Sequence, residues 1–284
     1  MIAAARQGSR VRIARLMGDQ LLDYTIWDLT QPDGVGDIYT GRIEAVMPSL
    51  AGRFVMLGDI SGFLPDSAGG KHLTEGQYAA LRVTRAALGG KGPRLELVAD
   101  EQPAPKPGLL RRGPGPLVEL ATRHPDEEIV LDDYELLAQL RPVLGMRARF
   151  TTPAFDAVLE DELAALAMPF AALPHGASLH ITPAPAATLL DIDAGPASAM
   201  PPLALNLALI PELCRQIALR NLSGGILVDF AGLKAAQRQK LAEPLRAALK
   251  QDPLRPTLLG ISHLGFAEIN RRRIRPPLHE LLAS

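Results

Sequence analysis

Hydrophobic positions in this chain fall mostly into short runs broken by Gly, Pro and Asp, the pattern of strands and tight turns rather than of long helical stripes. Two late runs end in carboxylates: Leu189-Leu190-Asp191-Ile192-Asp193-Ala194-Gly195 and Gly225-Ile226-Leu227-Val228-Asp229-Phe230. Between them, residues 211–222 have helical spacing, and Ser223-Gly224-Gly225 predicts a turn feeding the second strand. Strand, connection, helix and strand in that order predict a parallel pair.

Upstream, residues 37–97 predict a compact β-barrel, with short strands such as 42–46 and 53–57 alternating with turn residues. Residues 102–116 are so rich in Pro and Gly that a connector without regular structure is expected. After it, 129–133 and 178–182 read as strands, 133–143 and 155–167 as helices, and 196–202 as a loop over the late carboxylates. The Arg10-Val11-Arg12-Ile13 alternation predicts an edge strand with a solvated arginine face.

Composition narrows the function classes. With 284 residues and 47% hydrophobic content the chain can bury one large core or several small ones. It has no apolar run of about 18 residues, so no membrane span is expected, and residues 1–6 lack the pattern of a secretory signal; a cytoplasmic location is the expectation. One cysteine, Cys214, leaves no intramolecular disulfide or cysteine-rich zinc cluster, and its helical context predicts a small buried hydrophobe. A net charge of −1 argues against bulk attraction to nucleic acid, yet Arg271, Arg272, Arg273 and Arg275 crowd the end. Mutual repulsion there calls for a polyanion or for neighbouring carboxylates, with Arg271 and Arg273 the candidate contacts to a polyanion.

The carboxylates admit two readings. A strand-end Asp is commonly a cap or turn residue. Period-two geometry, however, puts Asp191 and Asp193 on one strand face, where like charges need a cation or donors between them, and two distant segments can aim oxygens at one magnesium. Phe54 and Phe63, close together in a turn-rich segment, are either core residues or rings that stack on bases.

These segments together resemble the ribonuclease E/G endoribonucleases. Residues 37–43 through 62–65 are similar to that family's S1-type RNA-binding barrel, and Gly90-Lys91-Gly92-Pro93-Arg94-Leu95 to its closing strand. Residues 215–222 with Val228-Asp229-Phe230 resemble the helix and strand of the second metal aspartate, and 264–276 the end of the DNase-I-like subdomain. The resemblance implies an α/β fold with an S1-type OB barrel inserted in an RNase-H-like scaffold, followed by a DNase-I-like catalytic subdomain. The expected bounds are 1–36 and 125–186 for the scaffold, 37–100 for the barrel, 101–124 for the connector and 187–284 for the catalytic part. It puts the metal and catalytic aspartates on Asp193 and Asp229, the stacking rings on Phe54 and Phe63, and an RNA-channel lysine on Lys91. Implied with them are magnesium, with manganese as an alternative, and single-stranded RNA as substrate. Four departures accompany the match: the connector is too short for a 5′-sensor, no Cys-x-x-Cys zinc link or small domain follows, Gly195 stands where an asparagine is expected, and Ala187 where a glutamate is. The expectation is a magnesium-dependent endoribonuclease indifferent to the 5′ end, without zinc or a zinc-linked dimer, its oligomeric state open. Asp191 is an extra carboxylate able to compensate. The alternative is an RNA-binding protein weakened in cleavage.

Overall fold

Two tight hairpins start the chain: β1 (Ile2–Gln7), β2 (Arg10–Met17) and β3 (Gln20–Asp28), with Gly8 and Gly18 supplying positive φ in the two turns. The computed structural model describes residues 1–283, residue 235 by its backbone alone. The chain then builds β4 (Ile38–Met47), β5 (Gly52–Met56), β6 (Ser61–Pro65), β7 (Tyr78–Arg85), β8 (Arg94–Leu97) and β9 (Gly108–Arg111). Next come α1 (Gly115–Arg123), β10 (Ile129–Leu131), α2 (Tyr134–Leu144) and β11 (Ala148–Phe150). The remainder is α3 (Ala157–Leu166), β12 (Phe170–Ala172), β13 (Ser178–Pro183), β14 (Ala187–Asp193), α4 (Pro202–Leu219), β15 (Gly224–Asp229), α5 (Ala235–Arg238), α6 (Ala242–Leu249), β16 (Thr257–Ile261), β17 (Ala267–Arg271) and α7 (Leu278–Ala283).

These elements fall into two compact units: residues 1–13, 26–154 and 274–276, and residues 14–25, 155–273 and 277–284. In the first, β1, β10 and β11 run parallel in the order β11-β10-β1. Ile2, Ile13, Ile129 and Leu131 pack there against Leu117 and Leu120 of α1 and Leu136 and Leu137 of α2. Asp133 and Asp156 cap α2 and α3, each side chain accepting the N–H three residues on, at 2.7 and 2.8 Å. Because β1 and β3 flank it, β2 is an inner strand, not the expected edge; Val11 and Ile13 are buried while Arg10 lies 3.8 Å from Asp28.

The first unit also holds a closed barrel. β4 pairs with both β5 and β7, β6 with β5, and β8 with β7, closure coming from a parallel contact of β6 with β8 at Phe63 and Arg94. Ile43, Val55, Leu64, Leu81 and Leu95 fill its interior. The connector departs from expectation: Gly108–Arg111 contains no Pro, keeps its amide donors and adds to β4 as β9, and α1 begins at Gly115.

In the second unit a mixed sheet runs β12-β13-β14-β15-β17-β16, with β14 and β15 parallel. Leu190, Ile192, Ile226, Val228 and Ile269 face Leu209, Leu213 and Ile217 of α4 and Leu245 of α6. The division between units falls at 154/155 rather than 187, because β12 and β13 hydrogen-bond into this sheet. Helix α4 starts at Pro202, well before the expected 211: prolines suit a first turn, and Leu205, Leu209 and Leu213 extend its apolar stripe across Pro211. The expected loop 196–202 is mostly a 3₁₀ turn, 195–199. Among the described residues no helix is long and apolar enough to cross a membrane.

Candidate functional site

Period-two alternation decides which side chains reach the face of the second sheet away from α4 and α6. On β14, Thr188, Leu190 and Ile192 are buried while Leu189, Asp191 and Asp193 are exposed; on β15, Ile226 and Val228 are buried and Asp229 is half-buried. The register sets Asp191 directly opposite Asp229, so these backbones lie about 4.8 Å apart. Asp193 sits about 6.7 Å farther along β14 on the same face. Its Oδ1 accepts the Gly195 N–H at 2.9 Å, closing the turn after the strand. The aspartate best placed to share an ion with Asp229 is therefore Asp191, with Asp193 next in line.

Two groups that sequence reasoning missed hold the end of β15. Arg238 donates from one guanidinium nitrogen to Asp229 Oδ1 at 2.7 Å and to the Gly265 carbonyl at 2.6 Å, while its Nε donates to the Leu233 carbonyl. Asn206 is fully buried on α4; its amide donates to the carbonyls of Pro202 and Ala231 and its Oδ1 accepts the Ala231 N–H. No motif marks either residue, although a buried asparagine within an apolar helical stripe is a signal.

The donor chemistry fits magnesium: hard carboxylate oxygens, of which this ion uses one or two while keeping waters. Among the described residues no group of three or more His, Cys, Asp or Glu is arranged to hold a metal.

The terminal arginines divide. Arg271 is buried, its Nε donating to Asp252 Oδ2 at 2.6 Å and one terminal nitrogen to Asn221 Oδ1 and the Leu222 carbonyl. That corrects its expected role as an RNA contact, because a guanidinium enclosed by carboxylate and carbonyls cannot reach a phosphate. Arg275 pairs with Asp33 and Glu119. Arg273 is exposed, its guanidinium lying over Gly224. Arg220, buried on Gln216 and three backbone carbonyls, has its pKa lowered by burial to about 10, which leaves it charged at neutral pH.

On the barrel, Phe54 and Phe63 are cross-strand partners facing outward, ring centroids 5.6 Å apart and edge to face. Phe54 is 37% exposed and Phe63 half-buried, its ring lying over Gly52, so neither belongs to the barrel interior. Lys91 is exposed in the turn bridged by Leu88, beside a shallow cavity of about 400 Å³ lined by Ile60, Ala87, Gly89 and Pro93.

The sequence model of the Ribonuclease E/G family matches residues 126–274, more than half of the chain. This chain belongs to the ribonuclease E/G family. It is similar to a protein named Ribonuclease E from Nostoc sp. (strain PCC 7120), 33% identical over 115 residues, covering 38% of this chain and 17% of that protein. A Ribonuclease E of Escherichia coli (strain K12) is 34% identical over 114 residues, 38% of this chain and 11% of its own length. A Ribonuclease E/G-like protein of Pyropia yezoensis is 29% identical over 115 residues, 38% and 23% respectively. The chain thus matches less than a quarter of each of these relatives. The ribonuclease E/G match covers β10 to β17, which includes all three site aspartates.

Proposed function

We propose that this ribonuclease E/G family member is an endoribonuclease that cuts single-stranded RNA at Asp191 and Asp229, with Asp193 beside them, using magnesium or manganese. The observation that carries the reading is the parallel register that sets Asp191 opposite Asp229 on the face of the sheet away from its core. When bound, the ion supplies Lewis acidity toward a phosphodiester and a more acidic water. The chain's own residues do the positioning. Arg238 fixes one oxygen of Asp229 and leaves the other free, Asn206 holds the loop that follows, and the Gly195 amide orients Asp193. Phe54 and Phe63 offer π-faces to unpaired bases, with Lys91 and Arg273 as exposed cations toward phosphates.

The wider architecture supports this reading. Renumbered within its own sheet, the order 3-2-1-4-5 with two hairpins and two parallel pairings suits an RNase-H-like scaffold, and the barrel suits an S1-type OB fold. The mixed sheet with α4 and α6 on one face suits a DNase-I-like subdomain. Residues 98–114 contribute β9 and turns, too little for a folded 5′-phosphate sensor, so cleavage is independent of the 5′ end.

One observation favours the second reading, an RNA-binding protein weakened in cleavage: the Arg238 guanidinium already neutralises Asp229. Labelled single-stranded RNA with and without magnesium separates the two. Shortening that needs magnesium and disappears in Asp191→Asn and Asp229→Asn, with binding retained, supports the nuclease; intact RNA under the same conditions with undiminished binding supports the second reading.

A further inference from the structure

Four strands of the second unit carry one row of side chains in register. Phe170 on β12 pairs with His180 on β13, His180 with Asp191 on β14, and Asp191 with Asp229 on β15. Their neighbours Ala171, Leu179, Ile181, Leu190 and Ile192 point the other way, into the core. Packing does not use the aromatic half of this row: Phe170 is 49% exposed and His180 is exposed, while the sheet's core is filled from the opposite face. Yet Phe170 is firmly held. The buried Arg220 donates to the carbonyls of Ala165, Met168 and Phe170 at 3.2, 3.4 and 3.2 Å, fixing the segment that leads into β12.

We propose that Phe170 and His180 form a base-stacking subsite that receives one unpaired nucleobase of the RNA whose phosphate meets Asp191 and Asp229. The proposal rests on the reading of those carboxylates as the cleavage site. The backbone of His180 lies one strand spacing from that of Asp191 and the backbone of Phe170 two, about 4.8 and 9.6 Å, the span from a phosphate across its sugar to its base. Asp191 and Asp193 repel the rest of the phosphate backbone, so a strand crossing this face presents bases, not phosphates, to the two rings. Stacking on an open π-face tolerates any base and gains with ring area, so purines are favoured at this one position.

The test uses the full chain and single-stranded RNAs carrying one 5-iodouridine at successive positions, irradiated without divalent ions and mapped by mass spectrometry. An adduct on Phe170 or His180 is expected. It should fall about fivefold or more in Phe170→Leu, which keeps an apolar side chain but loses the ring, and likewise in His180→Ala, and survive in Phe170→Trp. Adducts confined to Phe54 and Phe63, or undiminished cross-linking in Phe170→Leu, would overturn the subsite. So would a change of oligomeric state in Phe170→Leu, which would assign the ring to a second copy. Magnesium-dependent cleavage without an adduct at 170 or 180 removes the subsite alone; an adduct on a protein that never cuts RNA upholds base binding and removes the cleavage reading.

Discussion

Replacing Arg271 by Ala separates a buried, structural arginine from an exposed one inside one basic run. The side chains of Arg271 and Asp252 are 5% and 6% exposed, so the substitution leaves a carboxylate buried without its partner, at about 3–5 kcal/mol. Asn221 Oδ1 and the Leu222 carbonyl lose their donor as part of the same change. Against a typical stability of about 5–15 kcal/mol this is a large fraction, and with a urea slope of about 1–3 kcal/mol/M the midpoint of the second unit should drop by more than about 1 M. Arg273→Ala, two residues on and exposed, should move stability by less than about 0.5 kcal/mol while lowering the salt dependence of RNA binding by about one ion. Urea titrations and salt-dependent fluorescence anisotropy read both. If Arg271→Ala keeps the wild-type midpoint and weakens RNA binding, the buried-pair reasoning is wrong.

Three further outcomes are expected. Phe54→Leu and Phe63→Leu should each weaken binding of a short single-stranded RNA by about 1–3 kcal/mol at an unchanged melting temperature; equal loss of stability would make the rings structural. Burial pushes the Cys214 thiol up to about 12, so Ellman's reagent at pH 8 should leave the native protein unlabelled and find one thiol per chain in denaturant; fast native labelling would contradict this. Removing the cation beside Asp229 in Arg238→Gln should strengthen manganese binding, followed by electron paramagnetic resonance, by about tenfold for roughly 1.4 kcal/mol of lost competition, whereas weaker binding would show that positioning of the carboxylate by Arg238 outweighs its competition with the ion.

Strand content and the parallel β14/β15 pair were legible because alternation and turn chemistry are local properties. The helix starts of α2 and α3 were legible for the same reason, as Asp133 and Asp156 cap them. What escaped depended on distant partners. Nothing in the run 271–275 tells which guanidinium meets Asp252, nineteen residues away, and which stays in solvent. The choice between Asp191 and Asp193 lies in inter-strand register, which a single strand's sequence leaves open. β9 escaped because breaker density was averaged over the connector, although the four residues of the strand contain no proline. His180 lay within a correctly expected strand, but its alignment with Asp191 and Phe170 emerges only once three strands are side by side.

β9 gives the barrel the topology of a cassette. Ile38 at its entrance and Arg111 at its exit are register partners, and Gly113 passes so close to Gly36 that a Cβ there would lie 2.7 Å from that residue's carbonyl carbon. Entry and exit strands therefore leave through one narrow doorway. A gene fragment encoding this module can be gained or lost in a single event, the flanking segments asking only for a short link whose closure entropy is small. Heredity can thus exchange the barrel of the first unit on its own, much as a plug is drawn from a socket.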